Sequence, residues 1–193
     1  MPSRFSLCFS ALVLAASLSA PTLADEVSDA LKTAADAYAA GDLGKASEQM
    51  TMARQALGAQ QSAMLAALLP VAPSGWTMTP TDGFAQGFGM AGGGSGAEAR
   101  YDNADGSMSV TLSFIADNPM VGSMGAMLGN VQMMAAVGKV AKVGDQPLLQ
   151  TDGNISTLVN SRVLFQAQGA DAAALLPLVQ AIDFARVGVF AKK

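Results

Sequence analysis

Residues 140–168 read VAKVGDQPLLQTDGNISTLVNSRVLFQAQ. Apolar, β-branched runs at 140–143, 147–151, 155–159 and 163–168 alternate with turn chemistry: Asp152-Gly153-Asn154 is a tight hairpin turn and Asn160-Ser161 another. Strands this short and this closely joined pair antiparallel, so this stretch decides the fold class. A sheet of hairpins needs helices to cover it.

The flanking sequence supplies both. In 107–116, Met108, Val110, Leu112 and Phe114 alternate with Ser107, Ser109, Thr111 and Ser113, which predicts a strand with one buried and one polar face. Asp102-Asn103-Ala104-Asp105-Gly106 forms a turn back to a strand at 98–101. Residues 76–79 and 84–90 are read as further short strands. Asn118-Pro119 opens a helix running to about residue 136. Met120, Met124, Met127, Val131 and Met134 line one face of it, and Gly122, Gly125 and Gly129 thin another. Each internal Gly costs about 1 kcal/mol relative to Ala, which close packing on the sheet would offset. Asp171 caps a closing helix whose Leu175, Leu178, Val179 and Ile182 face the core, with Pro177 kinking it or delaying its start.

Upstream the period changes. Val27, Leu31, Ala34 and Tyr38 recur at helical spacing, Gly41 stops that helix, and Asp42 caps the next. Leu43, Ala46, Met50, Ala53 and Leu57 form the second helix's stripe, continuing through Met64, Leu65 and Leu68 to Pro70. So short a turn makes the helices antiparallel neighbours. The expected class is α+β: an N-terminal antiparallel helical hairpin followed by a mostly antiparallel sheet with two helices packed against it. The layout is a signal peptide at 1–24, the hairpin at 25–69, a Pro/Gly linker at 70–75, the α+β domain at 76–188 and a tail at 189–193.

The signal peptide is MPSRFSLCFSALVLAASLSAPTLA, with basic Arg4, an apolar run of about 14 residues and a cut after Ala24. The run is shorter than the roughly 20 residues a membrane span needs, so no span is expected. Export places the chain in the periplasm. Without Arg4, ten Lys and Arg stand against fifteen Asp and Glu, a net of −5 with no basic cluster; that argues against nucleic acid and anionic lipid as partners. Charged residues are 13% of the chain, against roughly 25% in typical domains, so much of the surface is poor in charge.

There is no histidine, and the single cysteine, Cys8, belongs to the leader. The exported chain therefore lacks Ser-His-Asp and Cys-His nucleophile pairs, His/Cys zinc ligation, thiol redox chemistry and disulfides. Gly87-Phe88-Gly89-Met90-Ala91-Gly92 matches GxGxxG, but Gly93, Gly94 and Gly96 follow, so no helix opens there and a loop is expected. Asp102, Asp105 and Gly106 fail as a calcium loop because Tyr101 and Leu112 occupy positions that need acids. Met120, Met124 and Met127 are the thioethers a Cu(I) site would use, although their spacing is equally that of a packed helix face.

The string AADAYAAGDLGKASEQMTMARQAL at 34–57 resembles the middle of a tetratricopeptide unit through Tyr38, Gly41, Asp42 and Ala46. A lone unit makes no repeat array. The order of elements resembles small Mog1/PsbP-like sandwiches, a likeness of fold that implies nothing about activity. Through Leu68-Leu69-Pro70, Gly75-Trp76, the Gly-rich stretch, Ser109-Val110, Asn118-Pro119 and Ala181-Ile182-Asp183-Phe184, the chain also resembles a group of uncharacterised proteobacterial periplasmic proteins. That resemblance implies no catalytic residues, metal or cofactor.

The expectation is a non-enzymatic exported protein that binds an envelope protein, or itself, through the hairpin, with Leu43, Met50 and Leu57 as its contact residues. The alternative is a carrier of a small apolar ligand, held between the 119–136 helix and the sheet or in a groove lined by Trp76, Phe84 and Phe88. Met-based copper binding and a carboxylate-dependent hydrolase come third.

Overall fold

The computed structural model describes residues 23–90, 93–169 and 172–192; residues 1–22 of the expected leader, Cys8 among them, Ala91 and Gly92 of the GxGxxG string, and Asp171 lie outside the described residues. The fold is α+β. Helices α1 (Leu23–Ala39) and α2 (Leu43–Ala66) form an antiparallel hairpin, and seven strands follow: β1 (Trp76–Pro80), β2 (Ser95–Asn103), β3 (Ser109–Ala116), β4 (Lys139–Val143), β5 (Gln146–Thr151), β6 (Asn154–Val159) and β7 (Val163–Gln168). They build one sheet in the order β1-β2-β3-β7-β6-β5-β4, antiparallel at every pairing. The tight turns expected between β5, β6 and β7 are there, with Gly153, Asn160 and Ser161 all at positive φ.

Both faces of the sheet are covered, because successive side chains of a strand leave on opposite sides. One face carries Tyr101, Val110, Leu112, Phe114 and Phe165 against Leu65 at the end of α2, Leu175 and Leu178 of α6 (Ala172–Gln180), and Phe184 and Val187 of α7 (Phe184–Lys192). Phe165 stacks obliquely on Phe114 at 5.2 Å and edge-on against Phe184 at 5.6 Å. The other face carries Ile115, Leu149, Leu158 and Leu164 against Val121 and Leu128 of α4 (Pro119–Leu128) and Met134 of α5 (Val131–Val137). Strand β3 is accordingly buried on both sides from Leu112 onward rather than polar on one, and Ser107 and Met108 stay in the turn before it.

The single helix expected over 119–136 is two, bent 87° from one another. Gly129 caps the C-terminus of α4, and the Asn130 carbonyl side chain accepts from the Gln132 and Met133 amides at 2.9 and 3.4 Å, starting α5 afresh. Residues 84–90 are a helix, α3 (Phe84–Met90), rather than a strand. Two glycines weaken it, yet packing on β2 and α2 overrides local propensity, and Phe84 reaches the α4–α5 side of the core. Residues 189–192, expected as tail, lie in α7, started by Asp183 accepting from the Arg186 amide at 3.1 Å. Phe190 is buried there.

Candidate interaction surface

Helix α1 packs on α2 and has no other extensive contact among the described elements, whereas the C-terminal half of α2 also meets β2. There the Ser62 hydroxyl accepts from the Gly96 amide at 3.1 Å, Leu65 enters the core, and the Pro70 carbonyl accepts from the Tyr101 hydroxyl at 2.6 Å. The first half of the hairpin therefore stands away from the sheet as an arm whose root is fixed.

Packing within the arm runs through its smallest residues. Ala34 and Ala37 of α1 and Ala46 and Ala53 of α2 are all buried where the two helices pack. The large apolar side chains point elsewhere: Leu31 and Tyr38 are 53% and 70% exposed, and Leu43, Met50, Leu57 and Met64 are 65%, 55%, 45% and 49% exposed. The stripe read from the sequence thus divides, its alanines closing the hairpin and its large residues facing solvent. At about 100° per residue, Leu31 and Tyr38 sit roughly a quarter-turn ahead of the alanine seam of α1; Leu43, Met50 and Leu57 sit ahead of theirs in the same sense, and Met64 is nearly in line with it. Because the helices are antiparallel, those two displacements emerge on one broad face of the hairpin. Leu43, Met50 and Leu57 are all on it. Arg54 flanks this face, and Met52 lies on the opposite side of α2.

The other predicted residues fall into the core or into turns. Trp76 packs with the α6–α7 side of the sheet and Phe84 with the α4–α5 side, so no groove joins them; the side chain of Phe88 lies outside the described residues. Of the methionines, Met134 is wholly buried, Met124 and Met127 pack against the same cluster, and Met120 is exposed. Asp102 is drawn into a pair with Arg100 (2.9 Å), whose hydrogen bond lowers its pKa; Ser107, by its hydroxyl and its amide, does the same for Asp105 and fixes the β2–β3 turn. Burial pushes the Tyr101 hydroxyl up to about 12.

Two open cavities lie on the described surface, and neither is between α4–α5 and the sheet. One of about 440 Å³ sits between the β4–β5 turn and the start of α7, bringing together the exposed carboxylates of Asp145 and Asp183. These two acids are 38 positions apart in separate turns, so no spacing in the sequence announces them. The other, about 320 Å³ and mostly apolar, lies between Met64, Ala67 and Leu68 of α2 and Arg186, Val189 and Phe190 of α7. It adjoins the exposed α2 stripe at Met64. No group of three or more His, Cys, Asp or Glu placed to hold a metal occurs among the described residues.

No family model, curated protein or solved structure matches the chain.

Proposed function

We propose that this is a non-enzymatic protein of the periplasm that works by binding, through the hairpin arm, another protein of the cell envelope or its own kind. The observation that carries this reading is the apolar face of the arm, six large side chains exposed together. Contiguous apolar patches of this size mark interaction sites on soluble proteins. Its place at the end of an anchored arm suits a docking element, and the absence of imidazole and thiol from the exported chain agrees with a role that is not chemical. The apolar cavity beside Met64 is the place where a carrier of a small apolar ligand would hold its cargo, away from the groove expected at Trp76 and Phe84.

Photo-crosslinking in intact cells tests the binding reading. A benzophenone side chain at Met50 or Leu57 is expected to capture a discrete partner, while the same group at Met52 captures none. Equal, diffuse labelling from all three positions would defeat it, and recovery of the protein only from the cytoplasm would remove its setting.

A further inference from the structure

From the geometry of α2 we infer that the occupant of the arm's apolar face is a second copy of this chain, docked with the two α2 helices antiparallel. This rests on the reading of the arm as a docking element and names its partner. Leu43, Met50, Leu57 and Met64 recur every seventh residue on the exposed side of one helix. The series is symmetric about the point between Ala53 and Arg54. A two-fold axis there sets Met50 of each copy against Leu57 of the other and Leu43 against Met64, which is the self-complementarity an isologous interface requires.

The ends of the stripe fit by shape and charge as well. Leu43 projects from the tip of the arm, and Met64 borders the apolar cavity of about 320 Å³ beside α7. The antiparallel register carries each Leu43 to the other copy's cavity. It also carries Asp42, next to Leu43, to Arg186 on the cavity wall, a guanidinium with no carboxylate partner among the described residues. The six exposed side chains of the face present on the order of 700 Å², close to the roughly 800 Å² per partner of a standard stable interface. Two hairpins joined face to face form a four-helix bundle, an arrangement in which short antiparallel helices cover one another's apolar sides.

Sedimentation equilibrium on the full chain, expressed with its own leader and purified after export, is expected to show a reversible dimer. The double variant Met50→Glu/Leu57→Glu should weaken it at least tenfold with the thermal melt of the dilute monomer unchanged, whereas Met52→Glu leaves it intact. Arg54→Ala is expected to tighten it, because the axis brings the two Arg54 side chains together. Mixing Leu43→Cys with Met64→Cys protein should yield a disulfide-linked pair under mild oxidation, and mixing Leu43→Cys with Leu57→Cys should not. A monomer at several hundred micromolar, or a dimer that survives the Glu substitutions, overturns the inference. A monomer that crosslinks from Met50 to a different protein overturns the second copy and leaves the arm as a docking element; a monomer that crosslinks to nothing removes both.

Discussion

The Tyr101 hydroxyl donates a 2.6 Å hydrogen bond to the carbonyl oxygen of Pro70, joining the middle of β2 to the residue at which the hairpin passes into the sheet domain. Tyr101 is fully buried and Pro70 is buried with it, so this contact fixes the root of the arm where water is excluded. Tyr101→Phe leaves a buried carbonyl without its donor and is expected to cost about 1–3 kcal/mol near neutral pH. The hydroxyl's pKa is about 12 in the folded chain against an ordinary value of 10.0, so the folded state retains a proton that the unfolded chain releases. The contribution is complete below pH 10 and is lost as pH rises from about 10 to about 12. Urea melts at pH 8 and pH 11.5 should show the wild type's advantage over Tyr101→Phe closing; a constant gap would refute the assignment.

The two sides of α2 predict opposite responses to substitution. Ala53→Leu forces bulk into the buried seam with α1 and is expected to destabilise the hairpin by about 1–3 kcal/mol. Leu57→Glu, four residues on but exposed, should change the monomer's stability by no more than about 0.5 kcal/mol. Hydrogen exchange on α1 amides, taken at a dilution where the chain is monomeric, reads both, and faster exchange in Leu57→Glu would show that the face is packed within one chain.

Arg162 ties the start of β7 to the end of β3 and to α7. Its guanidinium makes two 2.7 Å bonds to Asp117, donates to the Phe190 carbonyl at 3.1 Å, and lies 5.4 Å from the Phe190 ring centroid. Lysine cannot reproduce a bidentate, stacked contact. Both Arg162→Lys and Arg162→Ala should therefore loosen α7, by on the order of 1–2 kcal/mol given the pair's partial exposure. Protease cleavage near residue 188 would report it, and full rescue by lysine would count against the geometry.

Asn130 separates α4 from α5. Asn130→Ala removes a cap worth about 1 kcal/mol and should destabilise α5 selectively, visible as faster exchange at the Met134 amide. Gly138→Ala is expected to be worse, since a Cβ there would run into the Gln150 carbonyl oxygen of β5.

The strands were legible because period-two patterning and turn residues agree, and Gly153, Asn160 and Ser161 take the positive φ that such hairpin turns need. The α4–α5 break was hidden because Met124, Met127, Val131 and Met134 stay in helical phase across it; Gly129 followed by Asn130, a C-cap then an N-cap, was the readable signal. Helix α3 had no such signal, since its glycines argue against any helix and only its packing on β2 and α2 forms it. In α7, Asp183 and the spacing of Phe184, Val187 and Phe190 were there to be read. On the hairpin, residue size was the missing variable: closely packed antiparallel helices favour alanine at the seam, so the large residues of a single apolar stripe were displaced to the surface. Leu43, Met50 and Leu57 were identifiable as a set, but not their exposure.

The two outer strands of the sheet bear on how a chain that is 51% hydrophobic avoids aggregation. β1 exposes Thr77 and Thr79 and ends in Pro80, which has no amide to offer a neighbouring strand; β4 exposes Lys139 and Lys142. Proline and lysine on edge strands block the sheet-to-sheet addition that leads to fibres. Open-ended polymerisation is thereby discouraged at both margins of the sheet.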